Sequence, residues 1–147
     1  MKLSSKMLLA AISLPLTLAA CASSSDRAAT ITASDLQHHN WNLVQIDGRD
    51  IVTKEGGKSP RLEIGENLTA NGNAGCNNFF GQAELKDNQL RVDKMGMTMK
   101  MCMGDRMETE QAFSATLMDW SQVMLTDQTL TLKGKTHTLT FELAEWK

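Results

Sequence analysis

The chain has 147 residues, 41% of them hydrophobic, and a formal net charge of −2. That length suits one domain with a real core and is short for two. A mildly acidic chain without a basic run makes a poor nucleic-acid binder, so no nucleic-acid partner is expected.

Lys2 and Lys6 precede an apolar stretch over 7–20 that ends in Leu18-Ala19-Ala20-Cys21. A basic start, an apolar run of this length and small residues before a cut make a secretory signal. Residues 1–20 are therefore read as a removed signal peptide, and Cys21 as the lipidated first residue of a bacterial lipoprotein. Membrane lipid, through palmitate-type acylation of Cys21, is then the first expected partner. Acyl chains contribute about 0.8 kcal/mol per buried CH₂, so two or more anchor stably. Removal of Lys2 and Lys6 with the signal leaves 127 residues carrying a net charge of −4. Residues 21–33 are rich in Ser and Ala, lack a hydrophobic period, and read as a flexible tether. Ala22, not an acidic residue, follows the lipid cysteine, which points to the outer membrane with the domain (34–147) in the periplasm. A monomer is expected.

Ser34 and Asp35 open a short turn that includes Leu36, His38 and His39. Residues 41–46 read as the first strand, turned by Asp47-Gly48. Residues 54–60 form a loop around Gly56, Gly57 and Pro60. Leu62 and Ile64 share one face of the next strand, and Gly65-Glu66-Asn67 turns again. Residues 68–74 lead into the densest motif, Gly72-Asn73-Ala74-Gly75-Cys76-Asn77-Asn78-Phe79-Phe80-Gly81. Its glycines mark backbone that needs special angles or close approach, and its asparagines can fix a turn or bulge. The favoured reading is a shape-defining bend with Phe79 or Phe80 in the core; a ligand-contacting loop is the alternative.

Residues 82–85 and 89–92 form a hairpin around Lys86-Asp87-Asn88. A helix follows over 105–120, with Asp105 and Glu108 at capping-box spacing and Glu108 and Glu110 near its positive end. Phe113, Leu117 and Trp120 make its apolar stripe. Three short β segments close the chain at 121–125, 128–132 and 137–143. Alternation, rather than continuous apolar runs, argues for an antiparallel sheet. The expected fold is mainly β (α+β): a small, barrel-like antiparallel sheet of about seven or eight strands with one packed helix.

Cys76 and Cys102 are the other two cysteines. In an oxidising compartment an even pair suggests a disulfide, and two buried free thiols are the alternative. A bridge would close a 26-residue loop, worth roughly 3.5 kcal/mol by chain entropy. Met95, Met97, Met99, Met101 and Met103 alternate, so an extended strand would place all five on one face. Three readings stand. Flexible thioethers fill a core beside the helix; or Met97, Met99, Met101 and Met103 hold Cu(I) or Ag(I), with His38, His39 or His137 adding nitrogen; or the stripe is an exposed surface for a partner.

The sequence contains no GxSxG elbow, HExxH, phosphate loop or dinucleotide fingerprint. Adjacent His38 and His39 point apart on a strand and make a weak metal site. No catalytic residue, cofactor or enzyme activity is expected. A small-molecule binder would require a large lined cavity.

Trp41-x-Leu43, the glycine–cysteine–asparagine–aromatic motif and Thr98…Met101-Cys102 together resemble the META domain family over about residues 34–145. The resemblance implies a compact β-rich domain with one helix, no established enzyme activity, and links to heat stress and novobiocin resistance, with motility or secretion in one protozoan branch. It also implies that the family's cysteine pair falls on Cys76 and Cys102. Two departures concern the surface: Ala83 stands where an aromatic is common, and the segment before Cys102 is unusually rich in methionine. The resulting reading is a tethered, noncatalytic envelope domain with a stress-protective or interaction role, for which an envelope protein is the candidate partner.

Overall fold

The computed structural model describes residues 29–53 and 58–144. The signal stretch, Cys21, residues 22–28 of the tether, positions 54–57 of the loop and residues 145–147 lie outside the described residues.

The elements run α1 (Ala33–Leu36), β1 (His39–Ile46), β2 (Arg49–Asp50), β3 (Arg61–Ile64), a 3-10 turn (Glu66–Leu68), β4 (Thr69–Asn73), β5 (Asn78–Lys86), β6 (Gln89–Met97), α2 (Asp105–Met118), β7 (Ser121–Leu125), β8 (Thr129–Lys133) and β9 (Thr138–Leu143). The strand order is β2-β1-β3-β4-β5-β6-β7-β8-β9, and β9 also pairs with β1. Eight antiparallel strands thus close a barrel, while the two-residue β2 lies outside it on β1. The α+β barrel expected from the sequence is the fold observed.

Alternating side chains explain the closure. Leu62 and Ile64 on β3, Leu130 and Leu132 on β8, and Leu139 and Phe141 on β9 all point inward and are buried. An eight-stranded barrel is just wide enough for such side chains to fill it. Two tight turns set the register. Asp47 and Gly48 have φ of 53° and 74°, and Asp87 and Asn88 have 51° and 56°. Paired left-handed residues match the twist of the strands that they join.

The β5–β6 hairpin is longer than 82–92. Phe79 pairs with Met97 and Phe80 with Gly96, so the motif itself supplies the first part of β5. The ladder shifts between Phe80 and Gln82, which places Gly81 at a bulge.

The late helix differs from its expected form at both ends. Gly104, with φ 68°, holds the cap position and no side chain caps the helix. Asp105 is already helical, so the Asp105–Glu108 capping box does not form. The cap-like pairing occurs instead at α1, where the Asp35 carboxylate accepts the Thr32 N–H (2.8 Å) and hydroxyl (2.7 Å). The helix stops at Met118 because Asp119 is extended. Trp120 therefore leaves the helical stripe, and its ring lies under the Arg91 guanidinium at 4.8 Å.

Phe113 and Leu117 do face the core. The Phe113 ring lies 5.4 Å from Phe79 on β5 and 5.8 Å from Phe141 on β9. These strands stand four places apart in the ring of eight, on opposite walls. One helical side chain thus bridges the barrel interior. The described end of the tether is also held: Ile31 N–H donates to the Asn88 side-chain oxygen at 2.8 Å.

Candidate functional site

The motif packs against the first half of α2, at Arg106, Thr109 and Glu110. Gly72 lies so close to the Arg61 carbonyl on β3 that a Cβ would collide with it. Gly75 has φ 136°, and its Cβ would stand 2.7 Å from the Arg106 carbonyl of α2. Only glycine meets both demands at position 75. This close approach lets the next residues reach the helix side chains.

Cys76 is bonded to Cys102, with Cα atoms 5.8 Å apart. Asn77, 3% exposed, is the centre of a polar cluster. Its side-chain oxygen accepts from the Thr98 hydroxyl (2.8 Å) and the Lys100 N–H (2.6 Å). Its side-chain nitrogen donates to the Lys100 carbonyl (3.1 Å) and to Glu110 (2.9 Å). Glu110 also accepts the backbone N–H groups of Cys76 (3.1 Å) and Asn77 (2.6 Å). A buried carboxylate is tolerated when such donors replace water.

Glu110 is the residue that sequence reasoning missed. Its place near the helix start suggested a role with the dipole. The available signal was the bend itself: consecutive N–H groups after Gly75 had to find an acceptor. Once bound by three donors, this carboxylate serves as a fastener rather than as a free base.

Asn78 opens β5, and its N–H donates to the Thr98 hydroxyl at 3.1 Å. Phe79 enters the core, whereas Phe80 is 67% exposed. The Phe80 ring covers Gly96 across the hairpin, where a Cβ would overlap it. The internal bonds and the anchored Phe79 fit the bend reading.

The methionine stripe divides. Met95 and Met97 pack against the core from β6. Met99, Met101 and Met103 are 97%, 94% and 91% exposed. Core packing therefore fails for these three. The strand ends at Met97; beyond it Asn77 binds the Thr98 hydroxyl and the Lys100 backbone and Cys76 binds Cys102, although Thr98 and Lys100 are themselves exposed. Among the described residues no three His, Cys, Asp or Glu side chains gather at a metal-binding distance.

The histidines stay apart from this cluster. His38 has φ 62°, and His39 begins β1 beside Trp41, with ring centroids 5.7 Å apart. His137 finds a carboxylate remote in sequence: its Nδ1 lies 2.8 Å from Asp47 Oδ2. The His137 hydrogen bond, followed by that from the Thr138 N–H, holds the Asp47 carboxyl below its ordinary range. The barrel interior is filled by side chains. Among the described residues, open grooves of about 910 Å³ lie on its surface. One runs beside the start of α2, between Ile51, Pro60, Met103, Arg106 and His137.

The META domain family model matches residues 34–146. The chain is 32% identical over 141 residues to "Heat shock protein HslJ" of Escherichia coli (strain K12), covering 95% of this chain and 97% of that protein. A protein solved by NMR superposes with a TM-score of 0.68 at 31% identity, covering 77% of this chain and 95% of that one. A second NMR structure, from Burkholderia xenovorans, gives 0.64 at 25% identity, covering 78% and 87% respectively. The barrel, its single long helix and the family match along nearly the whole domain agree: this chain belongs to the META domain family.

Proposed function

We propose that the chain is a noncatalytic, lipid-anchored envelope protein that supports tolerance of heat or of an antibiotic such as novobiocin. Residues 1–20 are the signal, Cys21 carries the lipid, and residues 21–33 tether the 34–147 domain to the outer membrane on its periplasmic side. The observation that carries this reading is the near full-length likeness to a protein named for heat shock. The motif supports it. Its acid, amide and cysteines are committed to a disulfide and a closed hydrogen-bond cluster, the chemistry of a durable scaffold.

The domain acts through binding or a structural role at an envelope protein partner, as a monomer. A gene deletion tests the role. Growth at elevated temperature and with novobiocin should weaken, and the intact gene should restore it. Unchanged growth under both stresses would refute the role. Mass spectrometry of the mature N-terminus tests the address separately: an unmodified Cys21 thiol would refute lipid anchoring.

A further inference from the structure

Strand β6 ends at Met97, and Thr98, Met99, Lys100 and Met101 beyond it are all exposed. Asn77 holds Thr98 and Lys100 by side-chain and backbone bonds, and Cys76 holds Cys102. Every second residue is thus tied to the domain. Met99 and Met101 project into solvent between these ties and Met103 just beyond them, each more than 90% exposed. At that exposure their apolar surface adds little to the core. Sulfur remains the distinctive property of methionine there, and a thioether is oxidised reversibly to a sulfoxide.

We propose that Met99, Met101 and Met103 form an oxidant-trapping modification site for hypohalous acids. The sulfur lone pair takes the halogen of the acid, and hydroxide leaves. Water then adds its oxygen to sulfur, halide departs with the sulfur–halogen electron pair, and two protons are released, one of which neutralises the hydroxide. Sulfur loses two electrons and the halogen gains them. A thiol reductant reverses the change: two thiols become a disulfide, and the oxygen leaves as water.

The surroundings suit this chemistry. Sulfoxides disrupt a core when the methionine is packed, but these three side chains support none. Cys102 is already in a disulfide and offers no thiol to the same oxidant. Met97, which does pack against the core, lies only two residues from Met99. The trap therefore stands beside the methionines whose oxidation would harm the barrel. Half-exposed Met118 and Met124 provide an internal comparison at 53% and 51%.

The test is a hypochlorous acid titration of the purified, disulfide-intact protein, read by peptide mass spectrometry and circular dichroism. Sulfoxide should fill Met99, Met101 and Met103 over about the first three equivalents, one per thioether, with the fold unchanged. Parallel oxidation of Met97, Met118 and Met124, or unfolding over the same range, would overturn the proposal. The triple variant M99L/M101L/M103L retains apolar bulk without sulfur. Its Met97 should oxidise, and its thermal unfolding begin to fall, about three equivalents earlier; the same dose dependence as the parent would also overturn it. Both readouts are independent of cellular location.

Discussion

Glu110 lies 2.6 Å from the Asn77 backbone N–H and 2.9 Å from its side-chain nitrogen, so one carboxylate fastens α2 to the motif bend. Replacing Glu110 by Ala strands the Asn77 and Cys76 backbone N–H groups away from water, while the Asn77 side-chain nitrogen keeps the Lys100 carbonyl. A buried donor left alone costs about 1–3 kcal/mol, so the expected loss is about 3 kcal/mol or more. Glu110→Gln keeps the shape but turns a donor toward other donors, and should fall between the two. Urea denaturation measures both; parent-like stability of Glu110→Ala would show that the fastener is dispensable.

Phe113→Ala should cost about 3–5 kcal/mol, because it empties the ring site between Phe79 and Phe141. Met118, on the same helix, is 53% exposed. Met118→Ala should stay within about 0.5 kcal/mol. Similar losses for the two variants in guanidinium denaturation would contradict the assigned helix face.

Reduction of the Cys76–Cys102 bridge, or the double variant C76S/C102S, should lower stability by roughly 3.5 kcal/mol for the 26-residue loop. Thiol titration after denaturation should find neither cysteine free before reduction and both free afterwards.

The Asp47–His137 pair carries an acid dependence. The folded-state carboxyl of Asp47 titrates below its ordinary value of 3.8, chiefly because His137 bonds to it. Its contribution is fully present above 3.8 and is lost as the pH falls through the lowered folded value. The pair is substantially exposed, so its effect on stability is small. The carbon resonance of the Asp47 carboxyl, followed by NMR during acidification, should titrate below that of an unpaired aspartate. His137→Ala should move it upward.

Short-range chemistry made much of the fold legible. Asp47-Gly48 and Asp87-Asn88 mark their own turns, and Leu62/Ile64, Leu130/Leu132 and Leu139/Phe141 show their inward faces by alternation. The end of α2 was less accessible. Phe113, Leu117 and Trp120 fit a helical period, but the extended backbone of Asp119 breaks it before Trp120. The candidate site divided in the same way. Gly75 announces a close approach without naming its partner, and Glu110 is 34 residues from Cys76. The methionine alternation was visible as well. Its two environments were not, because the boundary is set where β6 ends and where Asn77 and Cys76, from outside the segment, take hold of Thr98, Lys100 and Cys102.

The pairing of β9 with β1 has a consequence for biogenesis. The seam joins Trp41 to Leu143 and Leu43 to Phe141, so the last strand of the barrel completes the first. Until β9 emerges, both edges stay open and the cylinder cannot shut. Such a topology delays folding until late in synthesis, since contacts between distant parts of a chain form slowly. On the proposed envelope address, a channel that accepts only extended polypeptide would receive a chain that has not yet locked itself, and the barrel would assemble once β9 had crossed.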